Sequence, residues 1–186
     1  EELDAIGPWE VFSWAAKQED SGLAVCTIGS GSREITCAKG LRIVTDYTLE
    51  DHPKLDIVLV PGGQGTRAIF ANGGPEIDWL KKVAPDCTWV TSVCTGALLL
   101  HRAGQLQGKR ATTYWAAVDL LRGGGNVEVM DDVRFVRDGN VVTSAGISAG
   151  MDMSLWLLGQ LKSPEFARFV QKGIEYFPAP PYTAAA

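Results

Sequence analysis

The stretch "WVTSVCTGALLL", residues 89–100, places one thiol, Cys94, where an apolar β-branched run gives way to Thr95, Gly96 and Ala97 and then to leucines. A cysteine at the start of a helix sits in the partial positive charge of the unpaired amides there, which favours thiolate over thiol and makes the sulfur a better nucleophile. The small residues that follow permit a tight turn that exposes it. The plain alternative is a small buried hydrophobe, and that is the reading for Cys26, Cys37 and Cys87. A nucleophilic thiol is normally activated by a base. His101 falls two helical turns after Cys94 and points away from the helix start, and His52 lies in the turn "EDHPK", so a cysteine–histidine pair is poorly supported. A carboxylate then enters: Asp4, just before a helix in "LDAIGPWEVF", is either a proton-handling group or a simple N-cap. The run "VPGGQG", residues 60–65, is either an ordinary tight turn or a source of backbone N–H groups for a developing negative charge. It has neither the Gly-Lys-Ser/Thr ending nor the Gly-x-Gly-x-x-Gly spacing of a phosphate loop.

These residues need a frame. Within the 186 residues, strand-like and helix-like runs alternate, which is the pattern of a parallel α/β sheet. A helix is expected over "GPWEVFSWAAKQ" with Pro8 in its first turn, then strands in "LAVCTIGS" and "LRIVTDYTL" around a stretch able to hold a short hairpin strand. "DIVLVPGG" reads as a strand buried on both faces, because it is continuously apolar. A helix at "PEIDWLKKVA", a strand at "TWVTSV" and a helix at "TGALLLHRAG" ending near Gly104 follow. Asp138-Gly139 between two strand-like runs signals a hairpin. Two helices close the pattern, with Ser148 and Ser163 as candidate N-caps, before the Pro-rich ending "FPAPPYTAAA", expected to lie extended. In such a sheet ligands gather at the carboxyl ends of the strands, and both Asp4 and Cys94 fall at that edge.

The formal net charge of −5 disfavours a nucleic-acid surface, which needs a concentrated basic face. No run approaches the roughly 18 apolar residues of a membrane span. The cysteines show no Cys-x-x-Cys spacing and no nearby histidine pair, so a zinc site is not expected. The composition is that of one soluble domain over residues 1–186, expected in the cytoplasm with free thiols.

Four segments together carry a resemblance: "LDAIGPWEVF", "VLVPGGQG", "SVCTGALLL" with "LQGKRATTYW", and "DGNVVTSAGISAGMDMSLWLL". The chain resembles the DJ-1/PfpI superfamily, and its ending "IEYFPAPPYTAA" is similar to the isocyanide hydratase branch. The resemblance implies a flavodoxin-like, class I glutamine amidotransferase-like three-layer sandwich with a mainly parallel sheet and a β-hairpin, usually as a homodimer. It implies Cys94 as nucleophile on a strained strand-to-helix turn, Asp4 as its acid/base partner, and Thr95 as an adjacent hydroxyl and amide. Gly63 would offer an N–H near the thiol, and Gly146, Ile147 and Ser148 would wall the pocket. Tyr114 stands where relatives often carry a histidine, and with Trp9, Trp115 and Ile147 it points to an apolar substrate group. The implied reaction adds water to an isocyanide, giving an N-substituted formamide, and its steps call for no metal or organic cofactor.

Three other readings compete. Similar sequences form the ligand-sensing halves of AraC-type transcription regulators; ending without a helix-turn-helix, the chain is expected to stand alone. A glyoxalase or deglycase would usually pair the cysteine with a glutamate and often a histidine, whereas Glu10 lies two turns into the helix. A redox-responsive protein would use the same thiol by oxidation. The strand expected before Glu1 is absent from the chain.

Overall fold

The computed structural model describes residues 1–179. The chain opens with helix α1, Glu2–Ala16, then passes through four short strands, β1 (Ile28–Gly29), β2 (Glu34–Thr36), β3 (Arg42–Val44) and β4 (Tyr47–Thr48). The site-bearing part follows: β5 (Ile57–Val60), α2 (Gln64–Asn72), α3 (Pro75–Val83), β6 (Trp89–Val93) and α4 (Gly96–Arg102). Then come β7 (Lys109–Ala111), α5 (Val118–Gly123), β8 (Val127–Val129), β9 (Phe135–Asp138), β10 (Val141–Ser144), α6 (Ala149–Leu161) and α7 (Pro164–Gly173).

The central sheet has the order β5-β6-β10-β9, with β5, β6 and β10 parallel and β9 antiparallel to β10. β7 and β8 form a parallel pair, and β2 and β3 an antiparallel one. Strand β6 is covered on both faces, which accounts for its unbroken run of buried positions from Val90 on. Successive side chains of a strand alternate faces. Val90 packs with Leu80, Leu98 and Leu121 on the side of α3, α4 and α5, while Val93 packs with Met153 of α6 on the other. A third cluster ties α1 to α6 and α7 through Val11, Ala15, Leu158 and Val170. Helices on both faces of a mainly parallel sheet make the three-layer, flavodoxin-like α/β arrangement.

Several local expectations are corrected. Pro8 lies inside α1, not in its first turn. Lacking an N–H, it leaves the main-chain carbonyl of Asp4 without the usual donor four residues on. Of "LAVCTIGS" only Ile28–Gly29 is strand, because only those residues find a partner, in β4. "LRIVTDYTL" is two strands, since Thr45 and Asp46 divert hydrogen bonds locally. The Thr45 hydroxyl donates to Tyr47 O at 2.9 Å, and the Asp46 carboxylate accepts both the N–H and the hydroxyl of Thr27 at 2.8 Å. Helix α2 was not foreseen, because its first residues, Gln64 and Gly65, continue a glycine-rich run. The hairpin forms with Asp138 opposite Val141, so the turn residues are Gly139 and Asn140. Ser163 caps α7 by accepting Phe166 N–H at 3.2 Å, whereas Ser148, at the N-cap of α6, makes no side-chain cap bond. The Pro-rich ending lies, from residue 180 on, outside the described residues.

Candidate active site

Cys94 closes β6 with φ = 57°, a left-handed conformation that a residue with a side chain rarely adopts and that other contacts must hold. Those contacts are hydrogen bonds at both ends of the residue. Its N–H is shared between the carbonyls of Ser144 and Ala145, each at 3.1 Å, and its carbonyl accepts the Thr113 hydroxyl at 2.8 Å. β10 and the loop after β7 therefore clamp the turn. Gly96 completes it: a Cβ there would run into the main-chain carbonyl of Val60, so only glycine lets α4 begin this close to β5. The result is a sharp strand-to-helix elbow with the thiol 4 % exposed.

Asp4 reaches the same point from the first turn of α1, fully buried, so it is not the N-cap that the sequence left open. Its Oδ2 accepts the N–H of Gly62 at 3.1 Å, while Oδ1 has no hydrogen-bond partner among the nitrogen and oxygen atoms around it. The carboxyl faces the Cys94 thiol closely enough for each to shift the other's titration. Burial pushes the Asp4 carboxyl up to about 6, against the opposing pull of the thiol and of the Gly62 N–H.

The expectation of a thiolate at rest is overturned. Burial first, then the negative charge of Asp4, push the Cys94 thiol up to about 11 and outweigh the Thr95 N–H, which favours the anion. The helix-start amide acts in the expected direction, but desolvation of a nearly enclosed sulfur is the larger effect. Between about pH 6 and 11 the pair is therefore a thiol beside a carboxylate, with the base already in place.

The glycine turn has a different role from the one expected. Gly63 N–H does not face the sulfur; it donates to Thr95 Oγ1 at 2.9 Å. Gly62, which sequence reasoning passed over, is the residue in contact. A Cβ on it would lie 2.5 Å from Thr95 N, 2.6 Å from Thr95 Oγ1 and 3.0 Å from Asp4 Oδ2. The turn thus holds the two partners of Cys94 in place. Thr66, the third residue of α2, was also missed; its buried hydroxyl is 2.7 Å from Thr95 Oγ1. The doubled glycine was the available signal for Gly62. Nothing in the sequence marked Thr66.

The remaining candidates divide. Tyr114 packs with Cys94, Val93 and Met153, and its ring lies so close over Gly146 that a side chain there would collide with it. Ile147 and Ser148 are half-buried, but the Ser148 hydroxyl accepts from Arg134 at 3.2 Å and is engaged away from the pair. Trp115 does not belong to an enclosed wall: it is 77 % exposed, tilted against Tyr114 at a ring distance of 5.5 Å. It borders a cavity of about 370 Å³ together with Thr113 and Ala145, both bonded to the Cys94 backbone. Trp9 is 41 % exposed on α1. Neither histidine enters the site. His101 Nε2 is 2.8 Å from Gly125 O, and His52 Nε2 accepts the Trp79 indole N–H at 2.8 Å. Among the described residues no helix is long and apolar enough to cross a membrane.

Comparison with known proteins identifies the relatives of this chain. The family model described as DJ-1/PfpI family matches residues 1–160. The chain is 40 % identical over 186 residues to isonitrile hydratase of Pseudomonas putida, covering all of this chain and 78 % of that protein. It is 30 % identical over 159 residues to the HTH-type transcriptional regulator CdhR of Pseudomonas aeruginosa, covering 85 % of this chain but only 43 % of the regulator. Among solved structures, a ThiJ/PfpI family protein of Pseudomonas syringae superposes with a TM-score of 0.88 at 31 % identity, covering 100 % of this chain and 74 % of that one. Drosophila melanogaster DJ-1beta, at 24 % identity and a TM-score of 0.77 over 96 % of this chain and 93 % of its own, shares the fold. A strand-to-helix cysteine elbow in a flavodoxin-like sheet, with a family match over most of its length, leads to one conclusion: this chain belongs to the DJ-1/PfpI family.

Proposed function

We propose that the protein hydrates isocyanides to N-substituted formamides, with Cys94 as nucleophile and Asp4 as the group that moves the proton. The observation that carries this reading is the buried pairing of Asp4 with the Cys94 thiol at the elbow, supported by the 40 % identity to an isonitrile hydratase. At neutral pH Asp4 is ionised and Cys94 is a thiol. As the sulfur attacks the terminal carbon of R–N≡C, Asp4 accepts the thiol proton and delivers it to that same carbon, giving the thioimidate R–N=CH–S–Cys94. Protonation of the nitrogen and addition of water then give R–NH–CH(OH)–S–Cys94. Loss of the thiol, reprotonated through Asp4, releases R–NH–CHO, so the elements of water are the only net addition. The Thr95 N–H steadies the sulfur as it gains negative charge. Tyr114 and Ile147 offer an apolar surface to the R group.

Incubation with an aromatic isocyanide tests the reading: formamide accumulates with the wild type and stays at background with Cys94→Ala. Binding of isocyanide without turnover would favour a ligand-sensing role instead, the alternative that the likeness to a protein named as a transcriptional regulator keeps in view. The proposal includes a single DJ-1/PfpI domain working in the cytoplasm as a homodimer. A monomeric mass by sedimentation would remove the dimer from it.

A further inference from the structure

The segment from Ala145 to Ser148, which walls the elbow, is gripped at both ends by one residue. Arg134, just before β9, accepts the Ala145 N–H on its carbonyl at 2.9 Å, and its guanidinium donates to the Ser148 hydroxyl at 3.2 Å. Between those points lie Gly146, under the Tyr114 ring, and half-buried Ile147. The Ala145 carbonyl in turn accepts the Cys94 N–H at 3.1 Å. The Arg134 side chain is exposed, so something must keep its guanidinium on Ser148. Asp152, in the first turn of α6, does so: its Oδ2 accepts Arg134 Nε–H at 2.6 Å, and its Oδ1 accepts the Tyr176 hydroxyl at 2.9 Å. Tyr176 stands beyond α7 in a turn where Glu175 adopts φ = 50°, a conformation that costs energy in a residue with a side chain. Gln171 holds that turn with two bonds of 3.0 Å, its carbonyl accepting the Tyr176 N–H and its side-chain amide donating to the Tyr176 carbonyl. Burial first, then the bond to the Asp152 carboxylate, push the Tyr176 hydroxyl up, so it remains a donor across the neutral range.

We propose that Tyr176 is a specificity-determining positioning residue: through Asp152 and Arg134 it holds the Gly146–Ile147–Ser148 wall in place and so limits the bulk of the group that reaches the Cys94 thiol. The contacts are continuous, from the Tyr176 hydroxyl to the Asp152 carboxylate, from that carboxylate to the Arg134 guanidinium, and from the guanidinium to Ser148. Every bond in the chain has a charged partner, and such bonds are shorter and stronger than neutral ones. An exposed ion pair alone holds a long side chain poorly, because the side chain loses entropy in a single geometry. By occupying one carboxylate oxygen, Tyr176 fixes the rotation of the carboxyl and leaves the other oxygen for Arg134. The wall has little slack: the thiol is 4 % exposed, and a Cβ on Gly146 would collide with the Tyr114 ring. An outward shift of Ser148 therefore admits a larger group. The competing assignment is purely structural: Tyr176 pins the segment after α7 onto α6 and does nothing for the wall.

The inference rests on Cys94 as the reacting group, and its test needs no isocyanide, so it stands or falls separately from the hydratase reading. Alkylation of the Cys94-bearing peptide by iodoacetamide and by its bulkier N-phenyl derivative is followed by mass spectrometry, for wild type, Tyr176→Phe, Arg134→Gln and the double variant, with thermal midpoints in parallel. The quantity read is the rate with the N-phenyl reagent divided by the rate with iodoacetamide, a ratio in which any general change in thiol ionisation cancels. Tyr176→Phe is expected to raise that ratio about fivefold, the effect of losing one hydrogen bond. Arg134→Gln is expected to raise it at least as far, and the double variant to match Arg134→Gln alone, because both residues act through one chain of contacts. An unchanged ratio in Tyr176→Phe, with or without a lowered thermal midpoint, would overturn the proposal, as would a double variant whose ratio is the product of the two single effects. Should Tyr176→Phe not fold, Asp152→Asn, which weakens both bonds of the carboxylate at constant volume, is read by the same criteria.

Discussion

Asp4 in the first turn of α1 and Cys94 at the end of β6 form one buried acid–thiol pair, the carboxyl raised to about 6 and the thiol to about 11. Burial raises both; the thiol, as a hydrogen-bond partner, draws the carboxyl part of the way back down, whereas the negative charge of the carboxylate pushes the thiol further up. The pair accordingly holds one proton across the neutral range, the one that the proposed reaction moves.

Replacing the sulfur should end the proposed reaction. For Cys94→Ser, formamide production is expected to fall to background, because a buried hydroxyl is far harder to ionise than a thiol. Circular dichroism should show an unchanged fold, since serine keeps the shape of the side chain.

Asp4→Asn removes the base and leaves the volume. Turnover is expected to fall at least about a hundredfold, within the usual range for loss of a positioned acid–base group. The wild-type kcat/KM should rise with pH through about 6, as Asp4 ionises, and that limb should vanish in the variant. A persisting limb near pH 6 would assign it to another group.

Stability should follow Asp4 in the opposite sense. A carboxyl whose folded value is about 6, above its ordinary 3.8, contributes stability that is fully present below 3.8 and is lost as pH rises through 6. Across that window the wild type should lose on the order of 2 kcal/mol relative to Asp4→Asn. Chemical denaturation at pH 4 and pH 7.5 measures the difference, which should be larger at pH 7.5 and favour the variant.

Gly62→Ala tests the packing behind the pair. The added methyl meets Thr95 N at 2.5 Å and Thr95 Oγ1 at 2.6 Å, and backbone cannot swing aside as a flexible side chain does. A loss of about 1–3 kcal/mol is expected from overpacking, together with reduced turnover as Asp4 and Thr95 are displaced. By contrast Ser163→Ala, far from the site at the α7 N-cap, should cost about 1 kcal/mol and leave turnover unchanged.

The sequence by itself determined the α/β alternation, the strands β5 and β6, the hairpin near Asp138 and the special place of Cys94, although β5 alternates buried and half-buried positions instead of being covered on both faces as expected. These are local matters: periodicity, turn chemistry and the change from a β-branched run to small residues leave their mark within a few positions. It also singled out Asp4, though only as one of two roles. Tertiary structure ruled out the cap, by placing Asp4 inside α1 and burying its carboxyl beside the thiol. It reversed the expected ionisation of Cys94, because desolvation depends on everything packed around the sulfur and not on the helix start alone. It moved the contact from Gly63 to Gly62, a choice set by which amide faces Asp4. It brought Thr66 beneath Thr95, a meeting between two helix starts that no spacing in the chain records.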